Sequence, residues 1–495
     1  MKKAIIFVMV LAVALSSCQK ISDLEKDPNR PAEVPPSLVF TSLLSSMNYS
    51  PWSDEMRWNQ FYCSNYAYYA EQKYDWTTTS FNYDQLKNVN QMISEAKRGL
   101  ADLNPYSALG KFFNAYFYVD MSMRLGDVPL TEALKSSDNT TPKYDTQKAV
   151  FKQALTWLEE SNADLQTLIN NGDKNLTGDF MLNNDLKQWQ KVVNSYKLRV
   201  LITLSKKETD TDLNIKTLFA AMISNPTKYP IMTSLDDNLK VTYNSSTNKY
   251  PLNQDNYGQT ATRNNMSATY LNTLVAMKDP RTFIVADPAP AKIKAGLTVA
   301  DYEAYVGASS GESLDDMPVK MLNGEYSPIS KSHYYSSYTG EPCIQIGYSE
   351  VCFNMAEAIN RGWVTGNAED YYTKGIKASW TFHGVTDVET KWTSYYAQAS
   401  VKLSATAATA LTQILTQKYL AFFQNSGWEA YNNYRRTGIP TFLTGPGTAN
   451  SGRIAKRWQY PSSERTTNAA NYSAALKNQF GAETDDINSD MWVIK

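Results

Sequence analysis

The residues best suited to chemistry lie close together in the first hundred, in the stretch MRWNQFYCSNYAYYAEQKYDW at residues 56–76. Tyrosine and tryptophan rings can stack on the C–H faces of sugar rings, and amide groups beside them can hydrogen-bond to sugar hydroxyls. A helix over residues 62–72 would place Tyr62, Tyr66 and Tyr69 on one face. The stretch, with Trp52 just before it, predicts a ligand surface containing Trp52, Asn65, Tyr66, Tyr69 and Trp76. The alternative is that these rings pack against a helical scaffold.

Two further groups could extend such a surface. The polar segment 253–265 carries one aromatic residue, Tyr257, and one cation, Arg263. Tyr334 begins a second group of tyrosines, followed by Tyr335 and Tyr338. Long polar segments of this kind inside compact proteins are often functional. We therefore predict ligand contacts at Tyr257, Arg263 and Tyr334, against the alternative of solvent-exposed loops that bind nothing.

The sequence offers little for catalysis. Residues 307–311, GASSG, match the nucleophile-elbow pattern, but neither a hydrophobic strand before the serine nor a helix after it is indicated. The only histidines, His333 and His383, are fifty residues apart, and no C-x-x-C pair occurs. No phosphate loop or dinucleotide motif follows a strand. We predict no catalytic residue, no metal site and no cofactor.

Charged residues in several helices are better explained by structure than by chemistry. Arg435 and Arg436 close a predicted helix, and Glu357 lies one step off an apolar stripe. The arginines, with Arg281, are predicted to cap backbone carbonyls and pair with core acids, and Glu357 to pair with a basic residue. Acidic pairs such as 315–316 could flank a glycosidic bond only if the fold set carboxylates about 5–10 Å apart. A glycan hydrolase therefore stays open as an alternative.

The N-terminus has the pattern of a bacterial lipoprotein. Two lysines precede an apolar run at residues 4–15, which is too short to span a bilayer, and LSSC then ends at Cys18. We predict a signal peptide at 1–17, lipid attachment at Cys18, an extended leader over 18–36 and a single body at 37–495. The net charge of −1 gives no electrostatic case for nucleic-acid binding.

Apolar periodicity predicts a mainly α fold built from helical hairpins at about 86–125, 148–204 and 344–380, with a loop-rich insertion at about 231–337. The hairpin at 344–380 sets large residues from Ile344 onward against small ones such as Gly375, which is typical of a tetratricopeptide-like unit. Two core helices of any α-rich protein would show similar spacing. Cys343 and Cys352 could pair, although buried free thiols are favoured.

Nine landmarks in register resemble the SusD-like (SusD/RagB) outer-membrane lipoproteins of Bacteroidetes. They are the lipobox at Cys18, DPN at 27–29, LGDVPLTEAL at 125–134, NSYKLRVLI at 194–202, DPR at 279–281, GYSEVCFNMAEA at 347–358, QKYLAFF at 417–423, YRRTGIP at 434–440 and RWQYPSSE at 457–464. Each piece alone is weak, but together they span nearly the whole chain after the lipobox.

This resemblance implies a scaffold of tetratricopeptide-like helix pairs, with long irregular loops and a few short strands carrying the ligand surface. It also implies a lipid-anchored, surface-exposed protein of the outer membrane that binds oligosaccharide or polysaccharide and delivers it to a SusC-like TonB-dependent transporter. A peptide ligand in the same role is the alternative within this class. A lipid-anchored glycan hydrolase and a scaffold bound only to its transporter are alternatives of other classes.

Overall fold

The computed structural model describes residues 33–495, so Cys18, the predicted signal peptide and most of the predicted leader lie outside the described residues. In chain order the helices are α1 (Pro36–Ser46), α2 (Asp54–Trp58), α3 (Tyr83–Gly99), α4 (Pro105–Leu125), α5 (Gln147–Asn170), α6 (Leu186–Thr203), α7 (Ile215–Ser224), α8 (Tyr257–Thr260), α9 (Ala268–Ala276), α10 (Thr282–Val285), α11 (Pro290–Lys294), α12 (Met317–Leu322), α13 (Lys331–Tyr334), α14 (Tyr348–Asn360), α15 (Ala368–Phe382), α16 (Val388–Tyr396), α17 (Ala407–Ala421), α18 (Glu429–Thr437), α19 (Glu464–Thr467) and α20 (Ala469–Phe480). The strands are β1 (Tyr62–Ser64), β2 (Leu239–Val241), β3 (Asn264–Met266) and β4 (Cys343–Ile346).

Long neighbouring helices pack in pairs, as predicted for a mainly α fold. The most extensive contacts join α4 to α5, α14 to α15, α5 to α6, and α3 to both α1 and α4. Side-chain caps define where several helices begin: Thr146 accepts a hydrogen bond from the backbone N–H of Ala149, and Asp185 does the same for Lys187. Within the described residues, no helix is both long and apolar enough to cross a bilayer.

The α14–α15 hairpin shows the predicted packing of large against small residues. A Cβ built on Gly375 would lie 2.8 Å from Cζ of Phe353, so a larger residue would require the buried Phe353 ring to shift. The predicted start of the hairpin is wrong, however. Ile344 lies in β4, which pairs antiparallel with β2, and α14 begins only at Tyr348, after the extended Gly347.

Three helices of nine or more residues, α7, α16 and α20, lie outside the helices that apolar periodicity predicts. The last of these, α20, occupies twelve of the final fifty residues. Its weak signal has a physical cause, because only Ala475 and Leu476 of this helix are buried, and two residues do not make a stripe.

Buried ion pairs connect the helix pairs. Arg199 on α6 donates to both carboxylate oxygens of Glu350 on α14, at 2.7 and 2.5 Å. Arg436 on α18 holds the fully buried Glu357 on α14 in the same two-pronged manner, with Nη2 2.9 Å from Oε2. Arg281 pairs locally with Asp279, donating through Nη2 at 2.8 Å, and reaches α15 through Nη1, which donates to the Ser379 hydroxyl at 2.8 Å. The predicted structural roles of Arg281, Glu357 and Arg436 are thus confirmed.

The cysteines of the described residues are free thiols. Cys63, Cys343 and Cys352 are all buried and unpaired with one another, so the disulfide alternative for Cys343 and Cys352 does not hold. Burial raises the pKa of both of these thiols to about 12, which keeps them protonated and unreactive.

Candidate functional site

A short antiparallel ladder brings together the two segments predicted to bind ligand. In it β1 pairs with β3, and Cys63 stands opposite Asn265. The pairing continues beyond the strands, because the backbone N–H of Asn65 donates to the carbonyl of Arg263 at 2.7 Å and the Asn65 amide donates to the carbonyl of Thr262 at 2.9 Å. The residues that follow β1 and those that precede β3 are therefore neighbours.

The chain after β1 forms a turn rather than the helix considered for residues 62–72. The backbone N–H of Tyr69 donates to the carbonyl of Tyr66 at 3.0 Å. Gln72 then closes the turn, since its side chain accepts from the N–H of Ser64 at 3.1 Å and donates to the Ser64 carbonyl at 2.9 Å. Because of this turn, the tyrosines of residues 66–69 lie at the surface and not in the interior.

These tyrosines and the segment before β3 line an open depression of about 560 Å³. We call it the candidate ligand surface; its residues are Tyr66, Tyr68, Tyr69, Gly258, Gln259, Thr262 and Arg263. Tyr68 is 90% exposed and Tyr69 48% exposed, and the ring centroids of this edge-to-face pair lie 5.1 Å apart.

Arg263 is the charged group of this surface. Its guanidinium carbon lies 3.8 Å from the centroid of the Tyr69 ring, which is a close cation–π contact. Among the described residues, no carboxylate lies within 4.0 Å of the Arg263 guanidinium and no side-chain hydrogen bond is made by it. Its N–H donors are thus free to bind hydroxyl or carbonyl groups of a ligand.

Tyr257 does not line the candidate ligand surface but directly precedes Gly258, which does. It begins α8, and its half-buried ring packs edge-to-face on Tyr335 at 5.0 Å. The ammonium of Lys331 lies 4.4 Å from the Tyr257 centroid. Sequence reasoning missed Lys331 and Thr262, because neither has a pattern that separates it from other surface lysines and threonines.

Four of the predicted ligand residues are buried and cannot contact a ligand in this structure. Trp52 is 9% exposed, and its indole N–H donates to the Tyr250 hydroxyl at 2.9 Å. Trp76 is 5% exposed, and its ring stacks on Trp458 at 3.9 Å. Asn65 and Tyr334 are fully buried. Burial of Trp52, Asn65 and Trp76 agrees with the packing alternative for that stretch, whereas the fully buried ring of Tyr334 fits neither a ligand contact nor a solvent-exposed loop.

The two histidines, fifty residues apart in the sequence, meet at Glu341. Nε2 of His333 lies 2.6 Å from a carboxylate oxygen of Glu341, and Nδ1 of His383 lies 3.2 Å from the same atom. Burial alone would raise the pKa of Glu341, but the contacts with His383 and His333 outweigh it and lower this pKa to about 2. The cluster connects α13, which contains His333, to His383 at the C-terminal end of α15.

Comparison with known proteins decides the family. The family described as SusD-like, starch-binding and associating with the outer membrane, matches residues 28–461. The chain belongs to the SusD-like family. Two SusD homologues of Bacteroides fragilis are similar in structure: one is 31% identical, with a TM-score of 0.81 over 94% of this chain and 100% of that one. The other is 30% identical, with a TM-score of 0.83 over 93% and 100%.

A more distant SusD-like structure comes from Flavobacterium johnsoniae and is described as a chitin-binding SusD homologue. It is 18% identical, with a TM-score of 0.73 over 93% of this chain and 98% of that one, and so supports the fold. A comparison with curated protein sequences found no match. The predicted resemblance to SusD-like proteins and the predicted helix-pair fold are confirmed.

Proposed function

We propose that this SusD-like protein binds oligosaccharide or polysaccharide at the cell surface through the candidate ligand surface. The observation that carries the proposal is the exposed Tyr68–Tyr69 pair with the unpaired Arg263 stacked on Tyr69. Exposed rings offer faces to sugar C–H groups, and the guanidinium, with Gln259 and Thr262, supplies hydrogen bonds to hydroxyls. The chitin-binding description of the distant relative agrees with a glycan ligand.

Binding rather than hydrolysis is the function that this surface supports. Glycoside hydrolysis uses a pair of carboxyl groups that flank the scissile bond. The residues that line the candidate ligand surface include no carboxylate and no histidine. SusD-like proteins are binding proteins that work with SusC-like transporters, and we propose delivery of the glycan to a TonB-dependent partner of that kind.

Tyr69→Ala and Arg263→Ala are each expected to weaken glycan binding by about 1–3 kcal/mol, or roughly 5- to 150-fold, because each removes half of the stacked pair. Isothermal titration calorimetry with chitin and starch oligosaccharides, and with peptides as a second panel, measures this effect. The matched control is Tyr371→Ala on α15, a half-buried tyrosine that also carries a cation, Lys374, over its ring. Equal affinity of both variants and wild type, or affinity for peptides alone, would contradict the proposal.

We also propose that Cys18, which lies outside the described residues, carries the lipid that anchors the protein to the outer membrane. Several acyl chains on one residue give firm attachment, whereas a single chain gives only marginal binding. Cys18→Ala should release the protein into the soluble fraction and leave its glycan affinity unchanged. Membrane fractionation of cells that express each form measures the release, with Cys63→Ala as a control. A Cys18→Ala protein that stays with the membrane fraction argues against lipid attachment there.

A further inference from the structure

A second cavity, of about 550 Å³, lies between the α9–α10 connection and the α15–α16 connection. Its volume falls within the range of small-molecule sites, roughly 300–1,000 Å³. It shares no lining residue with the candidate ligand surface. An argument about its ligand can therefore be made from its own walls.

One wall of this second cavity is aromatic. The rings of Phe283 and Tyr302 lie 4.5 Å apart at an angle of 47°. Phe283 is 37% exposed although it is a large apolar residue, while the Tyr302 hydroxyl donates to the carbonyl of Lys278 at 2.7 Å and so fixes its ring. An exposed aromatic pair held in this way offers a face to a flat apolar or sugar-like group.

The charges of the second cavity have one sign. Lys278 and Lys391 line it, and no acidic residue does. In residues 33–495, neither ammonium lies within 4.0 Å of a carboxylate. The acids nearest to these lysines along the chain do not neutralise them: Asp279 is bound by Arg281 and Glu389 by Lys377, and the exposed Asp387 forms no ion pair. Two unpaired cations in a concave site favour a ligand that carries negative charge.

Lys278 is also held in an uncommon backbone conformation. Its φ of +49° lies in the left-handed region, which costs energy for a residue other than glycine. A hydrogen-bond acceptor completes the wall: the amide N–H of Gln398 donates to the carbonyl of Met277 at 2.7 Å, which leaves the amide oxygen available for a ligand hydroxyl.

We propose that the second cavity binds a sugar residue that carries a carboxylate, that is, a uronic acid unit of an acidic glycan. The aromatic pair takes the C–H face of the ring, Gln398 accepts from a hydroxyl, and the two lysines pair with the carboxylate. A neutral sugar would leave both ammonium groups without a carboxylate partner, and so would gain less, since Lys391 otherwise donates only to the Thr386 carbonyl at 2.8 Å and the Thr386 hydroxyl at 3.4 Å. The inference depends on no residue of the candidate ligand surface.

The test is calorimetric titration of the protein with a galacturonic acid trimer and with the same trimer after its carboxyl groups are reduced to alcohols. Wild type should bind the acidic trimer about tenfold more tightly, because charge-assisted hydrogen bonds are stronger than neutral ones. Lys278→Gln and Lys391→Gln should each remove most of that difference, and Phe283→Ala should weaken both trimers. Raising the salt concentration should narrow the gap, since salt screens exposed charges.

Matched controls separate this site from net charge and from the proposed function. Lys292→Gln makes the same charge change on α11, at a residue that does not line the second cavity, and should leave acidic-trimer binding intact. Tyr69→Ala should also leave acidic-trimer binding intact, even if neutral glycans bind only at the candidate ligand surface. The inference is overturned if wild type does not prefer the acidic trimer, if both lysine variants keep that preference, if Tyr69→Ala abolishes it, or if a triglutamate peptide binds more tightly.

Discussion

Trp76→Ala is expected to lower the free energy of unfolding by about 3–5 kcal/mol, the usual cost of truncating a large buried aromatic residue. Trp76 stacks on Trp458 at 3.9 Å and packs edge-to-face against Trp58, Trp428 and Tyr431. Removing the ring would leave a cavity among four aromatic side chains that cannot collapse without moving the segments that carry them. Urea denaturation followed by tryptophan fluorescence or circular dichroism measures the loss.

The same variant distinguishes a structural residue from a ligand contact. If Trp76 is structural, the folded fraction of Trp76→Ala should bind glycan with wild-type affinity. Tyr68→Ala, at a side chain that is 90% exposed, is the stability control and should unfold at the wild-type urea concentration. A Trp76→Ala protein of normal stability and reduced glycan affinity would restore the original assignment of Trp76 to the ligand surface.

Glu357→Gln should be as damaging, with an expected loss of about 3–5 kcal/mol at neutral pH. The Glu357 carboxylate is fully buried. It accepts bidentate hydrogen bonds from the Arg436 guanidinium, and Arg361 also donates to it at 2.9 Å. A neutral amide keeps the size of the side chain but leaves the buried Arg436 charge without its partner.

The pH dependence gives this prediction a second readout. Burial would raise the pKa of Glu357, but the Arg436 guanidinium overcomes that effect and lowers the pKa from 4.5 to about 2. Because the folded state holds the ionised form, its stabilisation is complete above pH 4.5 and is lost as the pH falls toward 2. Urea denaturation between pH 7 and pH 3 should show a shallower acid decline for Glu357→Gln. Glu483→Gln, at an exposed acid, should match wild type; if Glu357→Gln does the same, the ion pair is not stabilising.

The long helices were predictable because their apolar stripes are local. Apolar residues recur every three or four positions along α5 and α6, and this pattern does not depend on the rest of the chain. Capping residues such as Thr146 and Asp185 mark where each helix begins. Strand β4 was not predictable in this way, because its partner β2 lies about a hundred residues away. Ile344 lies four positions before Tyr348, so its spacing also fits the apolar stripe of α14, although it belongs to a strand.

The candidate ligand surface was harder to predict, for a related reason. The aromatic stretch at 56–76 contains both interior and exposed rings, and only the turn closed by Gln72 separates Tyr69 from Trp76. The sequence landmarks were no guide to the ligand either. Those at 194–202, 347–358 and 434–440 contribute the buried charges Arg199, Glu350, Glu357 and Arg436, which connect helices. They identify the family because they preserve its scaffold.

The β1–β3 ladder has a consequence for how the ligand specificity of such a protein can change. Three residue pairs hold the two binding segments side by side, and both segments leave the ladder from the same end. An insertion within the ladder would turn every side chain of one strand to the opposite face. An insertion in the turn at residues 66–70 or in the segment around α8 would leave the pairing unchanged. Sequence changes in these two segments can therefore alter the size and chemistry of this surface to suit a new polysaccharide. The helices that support the surface, and their contacts with any partner, would stay unchanged.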